Sequence, residues 1–176
     1  NSRSLRNEEL YKFNIYVIFN LLVIPVFLGF AFHHFMKAEY DESLRDGLTA
    51  AFLFVSLLLI FSIQRKTIIY LINVSVVQLA VLHMFFEGGQ HGERMLWMYT
   101  IPLGTFFLLG RKKAFPFIII SYVSIGVVFS GVRIFSFVPY PYSSDVKMRF
   151  FVTYSLICIF AYIYQSVSHI FQQYLQ

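Results

Sequence analysis

The sequence predicts an all-α integral membrane protein, a six-helix bundle built of three hairpins with both termini cytoplasmic. Three observations predict it. The chain is 58% hydrophobic and only 13% charged, with a mean hydropathy of +0.67, whereas a soluble domain lies near 45–50% apolar and about 25% charged. Its apolar residues fall into runs near the roughly 20 residues that a helical membrane crossing needs. The connections between those runs alternate between tight basic turns and longer acidic or Gly-, Pro- and Tyr-rich loops.

Taken in order, the runs are Phe13 to Met36, with Asn20 and Pro25 inside it, then Gly47 to Ile63 and Ile68 to Phe86. A short fourth run, Met95 to Leu109, has Pro102 in its middle, and Ala114 to Val138 and Met148 to Ser168 complete the set. The first run is too long for a signal-peptide core and has no small-residue cleavage site after it, so it reads as a retained span. Residues 1–12 form a cytoplasmic segment, 13–168 the membrane domain, and 169–176 the start of a cytoplasmic signalling helix. The run Ser168 to Gln176 contains no Gly or Pro to stop it, so the sequence predicts that this helix continues into a further domain.

Charge sets the orientation. Arg65, Lys66, Arg111, Lys112 and Lys113 crowd two very short turns, and Arg3, Arg6 and Lys12 precede the first span. Glu39, Asp41, Glu42, Asp46, Glu87, Glu93 and Asp145 all fall in the other set of loops. The positive-inside rule then puts the basic turns and both termini in the cytoplasm. The net charge of +5 is spread over loop ends rather than gathered on one face, so nucleic acid is not an expected partner; the lipid bilayer is. Cys158 is the single cysteine, which excludes a disulfide framework. Asn14, Asn20, Asn73 and Gln78 are predicted to hydrogen-bond between helices.

The candidate site lies on the outer side. His83 and Glu87, four apart, share one helix face; Gly88 and Gly89 end that helix, and His91 and Glu93 follow. With Trp97 and Arg133 these make the candidate ligand-binding set. Imidazoles beside a carboxylate also suit a metal ion or a haem iron, so His83, Glu87, His91, His33 and His34 are candidate metal ligands; the spacing matches no established metal motif, and such residues are more often ordinary interface side chains. Arg133 is either a cation in an outward-facing pocket or a snorkelling anchor. Pro102, with Gly104, is a candidate hinge or static architecture. Away from the outer rim the spans contain no Asp or Glu, so a proton relay lacks its usual parts, and there is no nucleophile–base pair to make this chain itself an enzyme.

The stretch Leu96-Trp97-Met98-Tyr99-Thr100-Ile101-Pro102-Leu103, continued by Phe106-Phe107-Leu108-Leu109-Gly110-Arg111-Lys112-Lys113, resembles the amino-terminal six-span sensor regions of bacterial diguanylate cyclases and sensor histidine kinases. The resemblance implies a sensor in the bacterial inner membrane, dimeric through its sixth helix. It further implies a cytoplasmic output domain that makes cyclic di-GMP or phosphorylates a response regulator. It implies no particular ligand and no binding residues. Two other classes compete with it: a small transporter or channel, and a metal- or haem-binding membrane protein using the outer histidines.

Overall fold

A computed structural model describes residues 2–63, 66–89, 92–132 and 139–174. All regular structure among them is helical. The elements are α1 (Ser2–Met36), α2 (Tyr40–Ser62), α3 (Lys66–Glu87), a 3₁₀ segment (Glu93–Tyr99), α4 (Thr100–Ser130) and α5 (Ser144–Tyr174). Five helices are long and apolar enough to cross a membrane. Large apolar side chains cover their outward faces, among them Leu22, Phe61, Leu79 and Phe160. Water would not tolerate such faces on every helix; lipid does. The chain divides within α3 into two compact units, Asn1–Val77 and Gln78–Gln176.

In the first unit α1 and α2 run antiparallel. At one end Ser43 donates to the Ala31 carbonyl at 2.7 Å, and at the other Tyr16 donates to Ser56 at 2.8 Å. Between them the unit buries a polar knot. The Asn73 amide of α3 donates to Ser56 Oγ at 2.8 Å and to the Tyr16 hydroxyl at 3.1 Å, while Asn20 donates to the Tyr16 carbonyl. Asn20 and Asn73, expected from the sequence to link helices, are 0% and 1% exposed; Asn14 is exposed. Hydrogen bonds between spans are worth about 0.6 kcal/mol on average and under about 2 at most. The Asn73 carbonyl oxygen has no partner among the described residues, which offsets part of that gain. Asn73→Leu is therefore expected to lower stability by only about 1 kcal/mol, read from unfolding in detergent micelles; a loss several times larger would show that the knot, not packing, holds the unit.

In the second unit the expected fourth and fifth spans are both in α4, which turns back on itself. A straight helix would hold Tyr99 and Phe129 roughly 45 Å apart, yet both rings pack on Phe150, at 5.1 and 5.7 Å. The reversal is at Gly110, whose φ of 71° and ψ of 172° lie in a region essentially restricted to glycine. The arms 100–109 and 111–130 both pack on α5: Phe106 and Phe115 meet the same Tyr162 ring, and Tyr122 donates to Ser155 at 3.0 Å. Arg111, straight after the turn, reaches Ser166. Gln78, at the start of this unit, donates to the Phe117 carbonyl and to Ser121.

Several expected boundaries move. α2 starts at Tyr40 rather than Gly47, because its polar first turns carry Asp41 and Glu42, acids that suit a helix N-terminus. The fourth run opens as 3₁₀ rather than α-helix. The fifth ends at Ser130, not Val138, because Gly131 takes φ 70° and closes the helix onto the Val128 carbonyl. Arg133 thus follows the helix end, and with 134–138 it lies outside the described residues. Pro102 is buried in the first turn of α4. There its missing N–H costs little, and the Met98 carbonyl it cannot reach accepts from Thr100 instead. The chain bends eight residues later.

Candidate functional site

The candidate site of the second unit forms where α3 ends. Its last turn places His83 beside Glu87, with His83 Nδ1 3.5 Å from Glu87 Oε1. The glycine-rich turn then brings back Arg94, whose guanidinium reaches the other oxygen of Glu87 at 2.6 Å. A carboxylate between an imidazole and a guanidinium is held in one orientation, and the pair with Arg94 is of charge-assisted length. The cation that pairs with Glu87 among the described residues is Arg94, which the sequence reading did not single out.

The turn owes its shape to Gly88 and to the 139–143 loop laid against it. Gly88 has φ 74°, its amide closes α3 onto the Met84 carbonyl, and its own carbonyl accepts from Arg94 N–H. A Cβ there would collide with the Tyr140 side chain. Tyr140 N–H donates to the Phe86 carbonyl at 3.0 Å, and the Tyr142 hydroxyl donates to the Phe85 carbonyl at 2.9 Å. The last carbonyls of α3 are thus satisfied by a loop more than fifty residues away in sequence. Burial pushes the Tyr142 phenol up, with Tyr140 and Glu93 acting in the same direction, so it remains a hydroxyl donor at any physiological pH. Lys147, at the start of α5, donates to the Phe129 carbonyl at 2.6 Å, tying the end of α4 to the same corner.

From this corner an aromatic column runs into α5. Tyr142 stacks on Phe85 at 5.6 Å, and Phe85 on Phe150 at 5.5 Å. Phe150 stacks in turn on Tyr99 and on Tyr154, and Tyr154 meets Tyr122 edge to face. Phe85, Phe150 and Tyr154 are fully or almost fully buried. Offset and edge-on rings at these separations add about 0.5–1.5 kcal/mol per pair beyond their area.

The remaining candidates are distributed as follows. Glu93 is exposed, and its carboxylate lies close to Gly89. Trp97 is half-buried in the 3₁₀ segment, where its carbonyl accepts from Thr100. Gly104 is in the first arm of α4, within regular helix. His91 lies outside the described residues. His33 and His34 belong to the first unit, where His34 Nδ1 is 2.6 Å from Glu39 and His33 is exposed beside it. The candidate metal set joining His33 and His34 to His83 and Glu87 therefore divides between the two units, and each of His34 and His83 has a carboxylate partner within its own. Cys158 is buried and free.

The fold and the lipid-facing surface define a helical membrane protein. No protein-family model matches the chain, and neither do any curated protein or solved structure.

Proposed function

We propose that the protein is a membrane sensory module. It detects a ligand at its extracytoplasmic face, in or next to the membrane, and passes the state through α5 to a cytoplasmic output domain of the diguanylate cyclase or histidine kinase kind. The observation that carries this reading is the aromatic column, because it mechanically joins the polar corner at Glu87 to the helix that leads away from it. α5 is about 46 Å long at 1.5 Å per residue and unbroken from Ser144 to Tyr174, longer than the roughly 30 Å hydrocarbon core. A displacement at its outer end is thus delivered beyond the opposite face.

In this reading the chain crosses the bacterial inner membrane six times with both termini cytoplasmic, and it acts as a dimer. The turn at Gly110 supports the count. The 3₁₀ segment and the first arm of α4 together run about 29 Å, enough for one crossing, and the basic residues 111–113 follow at the cytoplasmic end. Ligand binding works on such a device only if the ligand prefers one arrangement of the corner over the other. Glu87, held between His83 and Arg94, is the group whose partners a ligand would exchange.

The test is made on the full-length protein in its own membrane. Glu87→Gln and His83→Ala are expected to shift basal output, measured as cyclic di-GMP or phosphorylated regulator, at least several-fold while membrane insertion and amount stay unchanged. Unaltered output in both variants would overturn the site. A full-length protein with no cytoplasmic output domain would overturn the reading itself.

A further inference from the structure

We propose that the turn joining α1 to α2 is a divalent-cation site of the zinc class, with His34, Glu39 and Glu42 as ligands and Asp46 supporting the imidazole from behind. The site is in the first unit and does not depend on the sensory reading. It begins with spacing. Glu42 and Asp46, four residues apart, share one face at the start of α2, and Glu39 stands at the cap position just before it. His34 is in the last turn of α1, and a very short connection turns the chain between them. Ala38 takes a φ of 60°, Glu39 N–H donates to the His34 carbonyl at 3.0 Å, and Ser43 is bonded to Ala31. The backbone thus fixes the imidazole against the acidic face.

The side chains converge further than an ion pair requires. One ligand atom each from His34, Glu39 and Glu42 lies within 4.8 Å of the others. His34 Nδ1 stands 3.3 Å from Glu42 and 2.6 Å from Glu39. Two ligands on a tetrahedral zinc at 2.0–2.1 Å are about 3.3 Å apart. Glu42 is already at that separation, and Glu39 has only to withdraw by less than about 1 Å. On the opposite side of the ring, Asp46 Oδ2 is 3.7 Å from Nε2. Asp46 is 1% exposed and is flanked by Arg45 at 3.4 Å. A carboxylate behind a ligating imidazole is the usual outer shell of a histidine–metal bond, fixing the ring and raising its basicity.

Charge favours the same occupant. Three carboxylates converge on one imidazole with Arg45 alongside, so even a protonated His34 would leave the group negative beside a low-dielectric layer. A divalent cation neutralises it. With three protein ligands, two of them glutamates at the rim, the fourth position stays open, which fits an exchangeable ion.

The probe is zinc alone, offered by equilibrium dialysis to the full chain in detergent micelles after stripping with chelator. One zinc per chain is expected. His34→Gln and Glu42→Gln, at half-buried positions, should each abolish it, and Asp46→Asn should weaken it about 10- to 100-fold. His83→Ala should leave it unchanged. Helicity and gel filtration identify any variant that has not folded, and binding is scored on folded variants. No stoichiometric zinc on the wild-type chain would overturn the proposal, as would zinc retained in both folded His34→Gln and Glu42→Gln chains. Because zinc is counted directly, this result is separate from any change in signalling output.

Discussion

Gly88→Ala is expected to destabilise the second unit by about 3 kcal/mol or more. Two effects act together. The left-handed φ of 74° at this position costs a residue with a Cβ about 1–3 kcal/mol. The added methyl also overlaps Cβ and Cγ of Tyr140, the root of that side chain rather than its movable tip, so a rotamer change does not relieve it. The backbone near Tyr140 has to move, and its hydrogen bond to the Phe86 carbonyl breaks before any other. Overpacking of this kind costs a further 1–3 kcal/mol or so. Thermal unfolding in micelles measures the total. Gly126→Ala is the control: its site is open and within α4, so helix propensity alone predicts a gain of up to about 1 kcal/mol. Equal stability of the two variants would mean that the 139–143 loop does not clamp the end of α3.

The same glycines separate what the sequence could convey from what it could not. The runs that became α1, α2, α3 and α5 were legible because lipid demands an apolar surface of fixed length, a property of composition that survives without coordinates. Asn20, Asn73 and Gln78 were legible for the complementary reason: amide side chains inside an apolar run are tolerated when they find partners on neighbouring helices, and these do. Direction was harder. Pro102 is the conspicuous helix breaker in its run, yet a proline in a first turn breaks nothing, while Gly110 reverses the chain through a conformation that the letter G permits without demanding. Gly131 ends its helix although apolar residues continue beyond it.

Pairings were the least legible of all. Nothing in the one-dimensional pattern singles out Arg94 as a partner of Glu87, since that pairing depends on how tightly three glycines turn. Nor does it show His34 inside a nest of Glu39, Glu42 and Asp46. The spacing of those three acids was present in the sequence, but its meaning required knowing that α2 begins at Tyr40, so that Glu42 and Asp46 lie on a helix face with Glu39 at its cap rather than in a loop.

Phe150→Ala carries the other large expected effect, a loss of about 3–5 kcal/mol. Phe150 is 1% exposed and touches four rings: Phe85, Tyr99, Phe129 and Tyr154. These come from α3, the 3₁₀ segment, the far end of α4 and α5 itself, so one truncation leaves a void where four segments meet. Lipid does not fill a void of this depth, and the loss is mainly of dispersion and ring–ring attraction. Phe150→Leu restores most of the volume but none of the stacking and is expected to recover roughly half of the loss. The two variants separate packing from coupling. If the column transmits the state of the Glu87 corner, the leucine variant, folded and inserted, still loses the response of output to Glu87→Gln. If it responds like the wild type, the column is a structural core only, and the signal must reach α5 by another route.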